Sequence, residues 1–335
     1  MPAPAVRIRV LEGFDDPTFG AEQWDELLRR GATDTIYLTW HWQRAWWDAL
    51  GQGDLLLIVA ERDGRVVALA PFYSRWHMVS FLGSEIEADC LDFVGDSTDP
   101  EVLDALLATA CASVPRFKGF DLRQVPDQSG TGKRLQEAAT RLELSCCDEW
   151  GRGAPAPVLD LVDHADVAAT VANGQRVLKN ERFFQRDGSF TVSHLRDGEA
   201  ILPHLDQFFE QHIARRALTP HPSPFVDPAQ RVFYERFTRL AADTGRLRFT
   251  RIDWQQRPIA FHFGYCHRGR YYWDRPSFAV DLARRSPGKI LLRHLLLAAM
   301  AEGAHTFDFG VGDETFKDEF STHAEYVRLW KIFPK

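Results

Sequence analysis

The sequence predicts an α/β protein, with a mixed α+β sheet, arranged as two tandem units. Three observations carry this. At roughly 150 residues per domain, the 335 residues make about two domains. Each half holds a hairpin followed by helix–strand units. Between the halves, residues 151–157 read GRGAPAP, a run that continues neither a helix nor a central strand. The expected domains are therefore 1–150 and 158–335. No close sequence repeat links them, so any duplication is structural.

In the first half, VRIRVL (6–11) alternates as a strand does, and a helix is expected over 21–31. In TWHWQRAWWDAL (39–50), Thr39 can cap a helix whose stripe carries Trp42, Trp46 and Ala49; these tryptophans read as core. Two apolar runs flank Asp63-Gly64, a hairpin signal. A helix over 100–113, a strand over 118–125 and a helix over 131–142 complete this half. In the second half, a helix over 166–186 precedes a strand over 189–195. Helices over 199–217 and 228–243 flank the proline-rich loop 218–225. RLRFTRIDW, RPIAFHFGY and RYYWDRPSF then read as an antiparallel meander turning at Gln255-Gln256 and Arg268-Gly269. A long apolar helix (286–304), the strand HTFDFG, the short helix GDETFKDEF and a last strand AEYVRLWKIF finish the chain.

Composition excludes several classes. Hydrophobic residues at 45% and charged residues at 26% are ordinary for a globular chain. Forty basic against 47 acidic side chains give a net charge of −7, which argues against nucleic acid as the main partner but leaves room for a local basic groove. Apolar runs such as Leu295–Met300 fall far short of the ~20 residues that span a bilayer. The N-terminal segment lacks the apolar core of a signal peptide. Five cysteines (90, 111, 146, 147 and 266) without CxxC spacing fit neither a disulfide framework nor a cysteine zinc site. The expectation is a reduced, cytoplasmic, metal-free protein, monomeric or homodimeric. No H-E-x-x-H, G-x-S-x-G, P-loop or EF-hand pattern occurs, which sets aside metalloprotease, serine hydrolase, ATPase and calcium-sensor readings.

The most informative stretch is Ser286-Pro287-Gly288-Lys289. Serine favours the N-cap and proline the first helical position, so the N–H groups at this helix start can face an anion. Gly288 allows close approach, and Arg284, Arg285 and Lys289 add charge. Together with the meander before it and the strand and short helix after it, RRSPGKILLRHLLLAAMAEGAHTFDFGVGDETFKDEF (284–320) resembles the GNAT acyltransferase superfamily. It is similar in particular to the double-GNAT branch called BioF2-like or CelD-like, related to the FemAB aminoacyl transferases. TWHWQRAWW, the first hairpin and FFEQHIARR (208–216) extend the resemblance over most of the chain.

The resemblance implies two tandem GNAT-like domains, the C-terminal one carrying the acyl-CoA site. It implies transfer from a CoA thioester, acetyl-CoA first, to an amine or hydroxyl of a small or saccharide-linked acceptor, by direct attack in a ternary complex. The donor site would be Arg284, Arg285, Ser286, Pro287, Gly288, Lys289 and Ile290. Base and acid candidates are His262, Asp274, Glu314 and Tyr272, with an oxyanion donor on the strand YYWDRP. His212, Arg216, Asp308, Asp313 and Lys317 are the expected acceptor contacts. Relatives commonly carry Tyr-Lys where this chain has Phe316-Lys317, so Tyr271, Tyr272 or Tyr326 would have to replace the missing acid. The alternatives are a FemAB-like transferase drawing on aminoacyl-tRNA, towards which the basic helix 175–186 leans, and a GNAT-shaped binding module without activity.

Overall fold

The computed structural model describes residues 5–83, 87–186 and 188–335; the first four residues of the segment read for a signal peptide lie outside them. The chain forms two units, Met1–Pro155 with Glu325–Lys335, and Ala156–Ala324.

The first unit runs β1 (Arg7–Val10), α1 (Ala21–Leu28), α2 (Trp40–Leu50), β2 (Asp54–Arg62), β3 (Arg65–Arg75), β4 (Met78–Phe81), β5 (Val94–Gly95), α3 (Pro100–Ser113), β6 (Gly119–Pro126), α4 (Thr131–Arg141) and β7 (Leu144–Asp148). β1 to β4 pair antiparallel in succession, and β4 pairs parallel with β6. Asp63 and Gly64 both take positive φ, the backbone that matches a two-residue turn to the twist of its strands. Trp42 and Trp46 are fully buried, in keeping with their reading as core.

The second unit runs β8 (Ala154–Asp160), α5 (Ala165–Ala172), α6 (Gln175–Gln185), β9 (Thr191–Leu195), α7 (Gly198–Ile201), α8 (Leu205–Arg216), α9 (Pro228–Leu240), β10 (Leu247–Trp254), β11 (Arg257–His267), β12 (Arg270–Phe278), α10 (Pro287–Ala301), β13 (Thr306–Asp308) and α11 (Thr315–Asp318). β10 to β12 form the expected antiparallel meander, β9 adds antiparallel to β10, β12 pairs parallel with β13, and β13 antiparallel with β8. One sheet face carries Ile252, Ala260, Tyr271, Trp273 and Phe307, packed on Ile290, Leu291 and Leu295 of α10 and on Phe184 of α6. On the other face, Phe208 of α8 meets Phe249, Phe261 and Phe263, and Tyr234 of α9 meets Phe263. Each fully buried leucine or phenylalanine contributes about 1.5–3 kcal/mol, so these two aromatic-aliphatic layers fix where the strand ends fall.

The structure departs from the sequence reading in four places. The helix expected over 166–186 breaks at Asn173-Gly174 into α5 and α6, and that over 199–217 breaks at Pro203, which lacks the N–H an uninterrupted helix requires. The segment 151–157 is not wholly punctuation, because β8 begins at Ala154 and runs through Pro155 and Pro157. A proline lacks the N–H but keeps its carbonyl, and that of Pro157 accepts from the Phe309 N–H at 3.0 Å. The last strand, β14 (His323–Pro334), does not close the second half. It pairs antiparallel with β6 and β7, so a segment assigned by position to the domain 158–335 belongs to the first unit.

A Cβ on Gly132 of α4 would lie 2.4 Å from the Trp330 ring of β14, and overpacking of this kind costs about 1–3 kcal/mol. Gly132→Ala is therefore expected to lower the first unit's stability by that amount in urea titration. An unchanged midpoint would contradict the placement of β14.

Candidate active site

Two features of β12 shape the site. Its parallel ladder with β13 has three pairs, Arg270 with Thr306, Tyr271 with Phe307 and Tyr272 with Asp308. Past Tyr272, β12 runs on to Phe278 without β13 beside it. The register with β11 also slips, since Phe263 faces Arg275 while Tyr265 faces Tyr272. β12 thus holds one extra residue, a bulge at Trp273–Asp274 that re-aims the side chains. Trp273 joins the α10 face, whereas Asp274 accepts hydrogen bonds from Tyr234 (3.2 Å) and Tyr265 (3.0 Å) on the α8–α9 face and pairs with Arg275 at 3.1 Å.

Where β13 falls away, a cavity of about 250 Å³ opens. Trp273, Pro276 and Phe278 of β12 line it, with Arg215 of α8, Ser286, Gly288, Lys289 and Leu292 at the start of α10, and Phe316 and Phe320 around α11. Because α8 and α10 pack on opposite faces, a cavity lined by both passes through the plane of the sheet. It is mainly aromatic and aliphatic, with cations at its rim. Arg215 donates to the Pro276 carbonyl and lies 4.8 Å over the Phe278 ring. Burial, and then the neighbouring Arg216, bring the Arg215 guanidinium down to about 10.

The expected donor segment borders this cavity, although its local chemistry differs from the sequence reading. Ser286 is the N-cap of α10 but adopts left-handed backbone, with φ 53° and ψ 50°, and its hydroxyl makes no capping bond. Its carbonyl already accepts from the Lys289 and Ile290 N–H groups at 3.0 and 3.2 Å. Pro287 has no N–H. Of residues 287–290, only Gly288 keeps an N–H that meets no acceptor among the described residues. Gly288 also packs closely, since a Cβ there would lie 3.0 Å from the Phe278 ring. Arg284 and Lys289 are exposed, and Arg285 stacks 3.9 Å over Phe183.

The base and acceptor candidates separate. His262 is fully buried and stacked 5.4 Å from Trp273. The Tyr272 carbonyl is a polar neighbour, yet neither ring nitrogen attains hydrogen-bond geometry. Burial brings its pKa down to about 3, so it is a neutral core residue with no proton path. His212 is likewise buried, bonded at 2.8 Å to the Ser223 hydroxyl, and burial followed by Arg275 brings it to about 3. Tyr272 is buried, its ring 6.2 Å from that of Tyr265. Asp308 pairs with Arg270 at 3.2 Å and accepts from the Gly310 N–H. Lys317 is buried, paired with Glu314 at 2.7 Å and donating to the Gly310 and Val311 carbonyls, so it braces its loop rather than meeting an acceptor. Asp313 is exposed and lies outside the cavity lining. Glu314 is exposed and also outside the lining, two residues before the lining Phe316. Burial acts to raise its pKa, but the hydrogen bond and charge of Lys317, with Arg216 further off, hold it below the ordinary carboxylate value. Arg216 is half-buried with its Nε unbonded. Sequence reasoning missed Trp273 and Phe320 as lining and the Tyr234–Asp274–Tyr265 group, because a bulge leaves no sequence signal. Among the described residues no cluster of three or more His, Cys, Asp or Glu is placed to hold a metal ion, and no helix is long and apolar enough to cross a membrane.

Residues 173–318 match the family model described as an acetyltransferase (GNAT) domain. Among solved structures, the crystal structure of FemX is similar over 93% of this chain and 96% of that one, with TM-score 0.64 and 12% identity. The C-terminal DUF2156 domain of a putative lysylphosphatidylglycerol synthetase from Agrobacterium fabrum matches at TM-score 0.55 and 13% identity, over 93% and 91%. A tandem GNAT protein from the clavulanic acid biosynthesis pathway matches at 0.52 and 10%, over 98% and 99%. No curated protein matches the chain. Most of the second unit thus matches a GNAT domain, and the chain has the tandem GNAT-like fold that the sequence resemblance implied. At these identities the structural likenesses speak for fold alone.

His212 and His262 set a pH dependence. In the unfolded chain each titrates near 6.5, whereas in the fold each stays neutral to about 3. Below 6.5 the unfolded state takes up protons that the folded state refuses. Stability is therefore complete above that pH and falls as pH drops towards 3, by about 1.4 kcal/mol per unit for each histidine. The imidazole resonances of His212 and His262 are expected not to titrate between about pH 5 and 8; titration near 6.5 would contradict their placement.

Proposed function

We propose that the second unit is an acyltransferase that accepts a thioester along the free edge of β12 and passes its acyl group to an amine or hydroxyl. The observation that carries this reading is the apolar cavity crossing the sheet where β12 and β13 part. An extended pantetheine arm needs such a slot, with strand backbone on one side and apolar walls on the other. Trp273, Phe278, Leu292 and Phe316 supply the walls, and the Gly288 N–H, the Ser286 hydroxyl, Lys289 and Arg284 stand at the end where phosphate would lie. Acetyl-CoA is the first donor to try, and the acceptor is a small or saccharide-linked molecule in the cytoplasm.

In the reaction the acceptor nitrogen attacks the thioester carbonyl carbon, the C–S bond breaks, and the proton lost by nitrogen ends on the departing thiolate. Backbone N–H groups of β12 at the bulge are the proposed oxyanion donors. Asp274 is saturated by two tyrosines and an arginine, which makes it a positioning residue that fixes the bulge. Glu314, held ionised by Lys317 and two residues from the lining Phe316, is the proposed proton acceptor through water. The cavity-facing Phe316 cannot supply a proton, so water protonates the thiolate.

A second reading, transfer from aminoacyl-tRNA, draws support from the sparse phosphate contacts at 286–290, where a single N–H is open. Turnover of acyl-CoA distinguishes the two. With acetyl-CoA and an amine panel, the wild type is expected to release free thiol. Leu292→Trp, which fills the slot, should abolish turnover, and Glu314→Gln should lower kcat by about 10²-fold, in the range of general-base removal. Folded wild-type protein that neither binds nor turns over any acyl-CoA would overturn CoA as the donor.

A further inference from the structure

Many of the arginines of the second unit are neutralised. Arg248, Arg251, Arg257, Arg270 and Arg293 each pair with a carboxylate. One surface is different. Arg176, Lys179, Arg182 and Arg186 form an exposed stripe along α6, and none has an ion-pair partner among the described residues. Arg284, Arg285 and Lys289, at the turn into α10, are also exposed and unpaired among those residues. The two groups are contiguous, because Arg285 lies 3.9 Å and Arg186 5.8 Å over the same Phe183 ring.

This arrangement is costly. Like charges three and four residues apart destabilise a helix by a few tenths of a kcal/mol each, and Arg176 faces the unfavourable end of the α6 dipole. The helix is nevertheless held rigidly, since its buried Glu181 accepts from Arg293 and His294 of α10 at 2.8 and 2.9 Å. In a chain of net charge −7, a fixed cationic face beside the cavity mouth calls for an anionic partner.

We infer that this face docks an acidic carrier protein, which delivers the acyl group on its own pantetheine arm. The inference rests on the thioester reading and names the donor. The aromatic and aliphatic slot fits any pantetheine arm, and two observations favour a carrier protein over a polynucleotide or free CoA. The single open N–H at Gly288 suits the one phosphodiester of a carrier-borne arm better than the diphosphate of CoA. The groove along α6 also includes Leu178 among its cations, an apolar contact that a protein helix can cover and a sugar–phosphate backbone does not use. At 1.5 Å per residue, α6 presents a stripe about 16 Å long, matched to three turns of an acidic helix. The chemistry is unchanged: the acceptor nitrogen bonds to the acyl carbon, the C–S bond to the arm breaks, and the proton from nitrogen leaves with the arm's thiol.

The test compares three donors bearing one butyryl group: an acidic acyl carrier protein, CoA, and pantetheine alone. Binding is measured by calorimetry at low and at raised salt. The carrier is expected to bind at least tenfold more tightly than butyryl-CoA, with an affinity that falls as salt rises. The exposed triple substitution R176E/K179E/R182E should weaken carrier binding by tenfold or more and leave butyryl-pantetheine binding unchanged, which also reports an intact fold. Equal affinities for carrier and CoA, or an indifferent triple variant, would overturn the carrier and leave the thioester reading standing. Salt-steep binding of RNA that the triple variant abolishes, with no carrier binding, would overturn it in favour of a polynucleotide. If none of the three thioesters binds, both readings fall.

Discussion

The second unit depends on the early end of one parallel ladder. Three residue pairs join β12 to β13, and β12 then continues for six residues with that edge unclaimed. Strand edges carry unsatisfied N–H and C=O groups that a folded chain normally pairs, covers or charges. Here the aromatic residues of β12, α10 and α11 partly roof the edge, and Arg215 takes one of its carbonyls, yet space for a ligand remains. The bulge at Trp273–Asp274 belongs to the same constraint. It turns Trp273 towards α10 and Asp274 towards the tyrosines of the opposite layer, so each face can pack tightly around a sheet that is open at one seam.

Much of this was legible in the sequence. The meander over 246–278 rests on alternation and on the turn pairs Gln255-Gln256 and Arg268-Gly269, all four of which take positive φ. The helix from Pro287 followed from serine and proline before an apolar run, and the GNAT resemblance followed from the order of these pieces. The terminal strand was misassigned because a strand's sequence records which faces it buries and says nothing of which neighbour it pairs with. β8 was hidden by prolines that local rules exclude from a ladder, although the Pro157 carbonyl still accepts from the Phe309 N–H.

The site was legible in outline and not in its atoms. Ser286 looked like a side-chain cap, but left-handed backbone turns its hydroxyl away from that role. Gly288 was read as room for phosphate, and its missing Cβ also lets α10 sit close to Phe278. His262, His212 and Lys317 carried the residue types of chemistry, yet burial and satisfied partners, or for His262 the lack of any proton route, make them structural. What sequence could not supply was burial on both sides of a sheet at once, which decides whether a polar side chain faces ligand or core.

A crystal structure of the protein with a non-hydrolysable butyryl-pantetheine thioether addresses the central claim directly. The account places the arm between the open edge of β12 and the first turns of α10, with its sulfur beside Trp273 and Asp274. An arm bound elsewhere, or a seam closed by direct pairing of residues 274–278 with another part of the chain, would contradict it.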